Sequence, residues 1–242
     1  MATSDGLAGH DSPGGGRGRD PARLSAADYA WEFLRRNPDY VADFANGGGA
    51  ADIDPRWGLR FGTDPQDAAP DAEVFWRPEV APGFVVPLVA GGEGQGAPRR
   101  PLRAVGGVRH AEDGRHLRLA NGLQLFLRGE ARPDGPLVVV LAFDRDYGLR
   151  VRAADALHRR AGPSGGGMSA LRRRRLAQAL RALDGARGGA SYRAIAKSLF
   201  GEAVVEGEPW KTASVRDATI RLVRFGERMM RGDYLTLLRR RG

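Results

Sequence analysis

The chain has 242 residues, of which 42% are hydrophobic and 28% charged, with a formal net charge of +9 and no cysteine. Disulfides and thiolate metal sites are therefore excluded. No apolar run approaches the ~20 residues of a membrane-spanning helix, and the N-terminus lacks the apolar core of a secretory signal. A cytoplasmic protein of one or two domains is expected, since ~100–200 residues per domain is usual.

The charge is unevenly placed. Residues 168–242 carry 17 Lys+Arg against 7 Asp+Glu, a net of +10, whereas residues 1–167 carry 21 against 22. Only Lys197 and Lys211 are lysines. A compositional bias explains arginine over lysine, but not why the excess sits at one end. Such asymmetry is the footprint of a face for a polyanion.

Residues 1–23 are polar and rich in Gly and Pro, and are expected to be disordered. The spacing of Tyr29, Phe33 and Leu34, with Trp31 beside them, predicts a helix over 26–36. Asn37-Pro38 breaks it and restarts the chain, because Asn caps and Pro suits a first helical turn. Tyr40, Val41 and Phe44 continue as a second short helix. These aromatics could stack on bases, but aromatics at helical spacing favour a small buried core. Two aromatic islands, 56–61 and 74–77, read equally as strands or ordered loops.

From Phe84 the period becomes that of sheet. Residues 84–89 predict a strand that Pro87 confines to an edge. Residues 116–128 predict a hairpin, with Asn121-Gly122 at the centre of a type I′ turn. Residues 137–143 predict a third strand, apolar on both faces and so central or covered. A helix over 149–160, a glycine-rich linker at 162–167 and a helix over 168–182 follow. Ser169 starts that last helix, Asp184-Gly185 ends it, and Arg172, Arg173, Arg174, Arg175 and Arg181 lie on its outer face.

The basic region culminates in residues 191–234. Ser191-Tyr-Arg-Ala-Ile-Ala-Lys-Ser-Leu-Phe-Gly201 reads as a capped helix whose stripe is Tyr192, Ile195, Ala196 and Leu199. A longer helix over 213–231 turns Val215, Ala218, Leu222, Val223, Gly226 and Met229 inward. Its other face carries Arg216, Arg221, Arg224 and Arg228. This is the outline of a helix-turn-helix, in which one helix braces the backbone and the next enters the major groove. The connector 201–212 exceeds the usual three or four residues, so the motif is elaborated or only imitated.

Catalytic constellations are thin. His110 and His116 flank Glu112 and Asp113, an arrangement that could hold a metal but fits a charged loop before a hairpin better. Asp144 and Asp146 follow a strand and read as a salt-bridged loop. Gly165-Gly-Gly-Met-Ser169 lacks the full phosphate-loop spacing and reads as a hinge. No enzyme activity, metal or cofactor is expected. DNA binding requires only guanidinium groups on one rigid face. The candidate groove residues are Arg216, Arg221, Arg224 and Arg228. Lys211, Thr212 and Ser214 at the helix start, and Arg193, Lys197 and the run Arg172, Arg173, Arg174 and Arg175 alongside, are candidate phosphate contacts. The plain alternative for each arginine is a solvated charge or a local pair, such as Asp217 with Arg221.

Residues 171–238 resemble the RovC-like DNA-binding domain of bacterial type VI secretion transcription factors. The resemblance rests on Ser191 through Gly201, Trp210-Lys-Thr212, Arg216-Asp217, Arg221-Leu-Val-Arg224 and Met230-Arg-Gly-Asp-Tyr234. The hairpin and residues 137–143 look like the upstream part of the same family. Asp28-Tyr-Ala-Trp-Glu-Phe-Leu-Arg-Arg-Asn-Pro-Asp-Tyr40, Trp57-Gly-Leu-Arg60 and Phe75-Trp76 resemble a short transcriptional-regulator-like domain often found ahead of it. These resemblances imply a cytoplasmic, oligomeric DNA-binding regulator with its DNA contacts near the C-terminus.

The expected fold is α+β: short N-terminal helices, a small mostly antiparallel sheet and a C-terminal helix-turn-helix-like domain. The expected division is a tail (1–23), a regulator-like module (24–80), a sheet with a helix (81–161) and the DNA-binding domain (168–242). The expected partners are double-stranded DNA and further copies of the chain, with no membrane and no small-molecule substrate. The rival reading is an assembly or maintenance protein of a mobile element that binds DNA without sequence preference.

Overall fold

The computed structural model describes residues 24–47, 53–69, 71–92, 94, 96, 102–159, 168–207, 209–210 and 214–239. The tail 1–23, the linker 162–167, and Lys211 and Thr212 lie outside the described residues. Helix α1 (Ala26–Leu34) opens on a reciprocal cap, in which Ser25 Oγ accepts from the Asp28 N–H and the Asp28 carboxylate accepts from the Ser25 N–H. Helix α2 (Pro38–Asn46) starts from Asn37, whose side-chain oxygen accepts the Asp39 N–H. Residues 29–34 of α1 are all buried, Glu32 included. The Glu32 carboxylate is satisfied by Arg35 at 2.8 Å, Arg36 at 2.6 Å and the Ala69 N–H at 2.8 Å, which offsets the cost of burying a charge. Tyr29, Trp31, Phe33 and Tyr40 are fully enclosed, so the aromatics form core and no stacking platform. The two islands are ordered loops around a short 3-10 turn (Pro55–Trp57), joined by an isolated Leu59–Trp76 bridge.

The sheet has five strands: β1 (Val85–Ala90), β2 (Val108–Ala111), β3 (Gly114–Arg118), β4 (Gln124–Arg128) and β5 (Leu137–Val139). Their order is β2-β3-β4-β1-β5, and only the β1–β4 pair is parallel. Alternation sends Val86, Leu88, Leu117, Leu125 and Leu127 to one face. There they pack on Ala153, Ala156 and Leu157 of helix α3 (Tyr147–His158). Val85 and Phe126 belong to the larger core on the other face, where His116 also meets the rings of Phe61 and Phe75.

Four expectations about this region are corrected. Strand β1 is interior, between β4 and β5, and β5 is the edge. Pro87 explains both the tolerance and the short edge. The Val140 N–H donates to the Pro87 carbonyl at 3.0 Å, but proline has no N–H to return, so the ladder ends at Val139 and Phe143 is left 93% exposed. The hairpin forms, yet its turn is not type I′. The Gly122 N–H donates to Leu119 and the Leu119 N–H to Leu123. That makes a three-residue loop ending on Gly122 at φ +86°, a common alternative. Finally, His110 lies in a strand rather than a loop. The β2–β3 turn at Glu112-Asp113 closes on Gly114, whose φ is +140° and where a Cβ would strike the Leu127 carbonyl.

His116 is 2% exposed and stacks on Phe126 at 4.6 Å. Burial lowers its imidazole pKa below the ordinary 6.5, although Asp113 at 3.4 Å pulls the other way. The unfolded chain therefore binds more protons just below pH 6.5, and stability from this site is complete above that pH and drains as pH falls through it. Urea titrations at pH 5.5 and 7.5 check this: wild type should lose more stability on acidification than His116→Phe. Equal losses would exclude it.

The C-terminal part is helical: α4 (Ala170–Arg187), α5 (Tyr192–Phe200), α6 (Glu202–Glu206), α7 (Ser214–Arg228), a π-helical segment (Met229–Asp233) and α8 (Leu235–Arg239). Helix α4 passes through Asp184-Gly185, the expected stop. Gly185 serves packing instead, since a Cβ there would lie 3.0 Å from Ile195 Cγ1 of α5. One core cluster contains α1, the aromatic loops, α4, the π segment and α8 together. Polar bonds stitch the same seam. Asn37 donates to the Met230 carbonyl at 3.1 Å, Tyr234 to the Trp57 carbonyl at 3.0 Å, and Arg36 makes a two-pronged contact with Asp184 at 2.6 and 2.9 Å.

Candidate nucleic-acid interface

Three helices build the base of the basic region. Ala182 of α4, Ile195 of α5 and Val223 of α7 form a small buried cluster. Helix α7 also presses Gly226 against α4, where an added Cβ would stand 2.8 Å from the Ala179 carbonyl and 3.0 Å from Leu183 Cβ. Glycine here lets two backbones approach, and the approach fixes α7 relative to α4. The buried side of α7 is Thr219, Val223 and Gly226, with the Thr219 hydroxyl returned to the Val215 carbonyl at 2.8 Å.

The opposite side is cationic. Arg221, Arg224, Arg228 and Arg231 are exposed at intervals of three, four and three residues, the spacing that keeps side chains along one face of a helix. Arg221 and Arg224 have no ion pair among the described residues, because Asp217 is 3.3 Å from Arg216 instead. Arg228 lies 3.7 Å from Asp233 and over the Phe225 ring at 5.8 Å. Arg216 is half-buried, and Ser214 is exposed in the first turn of α7.

The other sequence candidates divide. Arg193 is exposed on α5. Lys197 is held by Glu202 at 2.6 Å and Glu206 at 2.8 Å. The Glu202 bond first and the Glu206 bond second raise its pKa above the usual lysine value, while Lys197 lowers that of Glu202. Arg172 and Arg173 are half-buried where α4 meets α1, and the Arg173 carbonyl accepts from the Tyr29 hydroxyl at 3.4 Å. Arg231 joins the region from outside the candidate set, and Arg175 is a member of the candidate run that meets α7. Arg175 stands over Phe225 at 4.6 Å, and Arg231 extends the exposed row. Helical phase alone does not say which arginine of the run faces the neighbouring helix. Between α5 and α7 lies α6 with Val205 fully buried, so the described part of the connector is helical.

Asp113, His116, Asp144 and Asp146 are arranged as structural pairs. Asp144 accepts from Arg150 at 3.0 Å and Asp146 lies 3.6 Å from Arg239, at the wall of a cleft of about 780 Å³. Asp113 takes Arg60 at 2.8 and 3.1 Å. Its partial burial acts to raise its pKa, but the Arg60 bonds outweigh this and hold it below the usual value. Among the described residues no three His, Asp or Glu side chains converge to hold a metal ion, and no helix is long and apolar enough to cross a membrane.

Comparison with family models gives two matches. Residues 140–239 match the family described as T6SS, transcription factor, DNA binding domain. That span runs from just beyond β5 to the end of α8 and leaves out the hairpin. Residues 16–62 match the proteobacterial transcriptional regulator-like domain, a span that includes α1, α2 and Trp57 but stops before Phe75-Trp76. No curated protein matches the chain. Residues 140–239 are thus similar to the DNA-binding domain of type VI secretion transcription factors and follow a stretch similar to a proteobacterial transcriptional regulator-like domain, and the two matches together indicate a transcriptional regulator with a DNA-binding domain.

Proposed function

We propose that this regulator binds double-stranded DNA sequence-specifically through α7, in the manner of an elaborated helix-turn-helix, with α4 and α5 lying along the flanking backbone. The observation that carries the reading is the exposed row Arg221, Arg224 and Arg228 on a helix whose other side is locked against α4 and α5. Guanidinium groups so held can bridge guanine O6 and N7 in the major groove or neutralise phosphates. Lys197 contributes less than its position implies, since two carboxylates already occupy it. We infer too that the protein is a cytoplasmic homo-oligomer; the exposed apolar residues Phe143, Tyr147 and Val151, the first two with rings 5.2 Å apart, support the oligomer.

A gel-shift titration across salt tests the reading. Tight binding to upstream DNA with a steep loss of affinity as salt rises is expected, and no binding at low salt would reject it. Arg224→Ala should cost ~1–3 kcal/mol if the residue reads a base, together with lost site preference. A uniform loss on every sequence would assign it to a phosphate instead. A protected footprint with no preferred site would favour the non-specific assembly reading.

A further inference from the structure

Phe225 of α7 has two guanidinium groups over its ring, one from each of two helices. Arg175 of α4 lies 4.6 Å from the ring centroid and Arg228 of α7 lies 5.8 Å from it. Each cation is attracted by the ring quadrupole, but the two repel one another. Asp233, at 3.7 Å from Arg228, is the only carboxylate paired with either among the described residues. Arg175 has none. Both side chains are exposed, whereas Phe225 is half-buried against the main core. The spacing of the pair does not depend on flexible stems alone, because Gly226, the next residue, fixes α7 on Ala179 and Leu183.

Two like charges gathered on one aromatic support, with one counter-charge beside Arg228 alone, form a preorganised seat for an anion. We propose that Arg175 and Arg228 clamp a phosphodiester group of the DNA strand beside the groove, with Phe225 as the residue that positions both. The clamp rests on the reading of α7 as the DNA helix and deepens it. Sequence discrimination falls to Arg221 and Arg224, while the clamp sets how far along and how deep α7 sits. A phosphate contact of this kind positions the protein and carries no sequence information itself.

The test uses the full chain and fluorescence anisotropy with two labelled duplexes, one footprinted upstream site and one random sequence. Each phosphate neutralised on B-DNA contributes about 0.9 to the slope of log affinity against log salt. Arg175→Ala should therefore lower that slope by about 0.9, and weaken binding by about fivefold at ~0.15 M salt, equally on both duplexes. Phe225→Leu keeps both charges and the apolar contact but removes the ring. It should weaken binding on both duplexes, and adding it to Arg175→Ala should cost less than it costs alone. Unchanged affinity and slope in Arg175→Ala, with wild type binding tightly, would overturn the clamp and leave the DNA reading intact. A loss confined to the footprinted site would overturn it too, by making Arg175 a base contact. Wild-type protein that shows no salt-dependent binding would sink the DNA reading itself.

Discussion

Trp76→Ala should destabilise the whole protein by about 3–5 kcal/mol, the range for deleting a buried aromatic side chain. Trp76 is 1% exposed and belongs to the cluster that joins α1, α4, the π segment and α8. Its ring lies 6.3 Å from that of Tyr234, and its backbone N–H donates to Gln124 Oε1 of the sheet at 2.9 Å. The residue thus touches the N-terminal loops, the sheet and the C-terminal helices at once. Deleting it opens a cavity that none of the three can close alone, since each is held by the others. Hydrogen exchange should show α1 and α8 losing protection together, and thermal unfolding should remain one transition at a lower temperature. Protection lost in α1 with α8 unchanged would contradict a shared core.

Gly226→Val should be the most damaging single change on α7. A Cβ there meets the Ala179 carbonyl at 2.8 Å, and a backbone atom cannot swing aside as a side chain can. Overpacking of this kind typically costs about 1–3 kcal/mol, and the rigid obstacle places Gly226→Val toward the upper end. The helices must separate, so Arg175 and the α7 arginines lose their relative placement. DNA affinity should fall by more than tenfold while the far-UV circular dichroism stays helical. Gly232→Ala is the internal comparison. Gly232 sits at φ +146° in the π segment with nothing within 4 Å of an added Cβ, so it should lose stability through backbone strain alone and bind DNA nearly normally once folded. Equal binding by Gly226→Val and wild type would detach the α4–α7 contact from DNA recognition.

The elements were legible where a local rule acted alone. Asn37, Ser169 and Ser191 each start the helix expected of them, and the hairpin forms over residues 116–128 as its sequence implies. Errors arose where a long-range contact overrode the rule. Pro87 argues for an edge, but its missing N–H faces the end of β5, so an interior strand accommodates it. Gly185 looks like a helix stop because its real partner, Ile195, is ten residues away. Strand β2 is not legible because Val108-Arg-His-Ala111 buries no residue and sets its two apolar residues three apart, leaving no alternation to read. In the basic region, the inward and outward sides of α7 could be read from helical spacing. Which arginines are spoken for could not. Lys197 is taken up by α6, a helix that the acidic connector did not announce, and Arg175 shares Phe225 with a residue fifty-three positions downstream.

The Asn37 side chain reaches across the molecule to the Met230 carbonyl, inside the segment where the helical hydrogen-bond ladder widens. Grafting experiments inherit a constraint from this. A chimaera that exchanges the front half of the chain for that of a distant relative would leave the widened turn without its donor, and Tyr234 without the Trp57 acceptor. Swaps between such proteins should succeed only when the segment holding Asn37 and Trp57 travels together with the one holding Met230 and Tyr234.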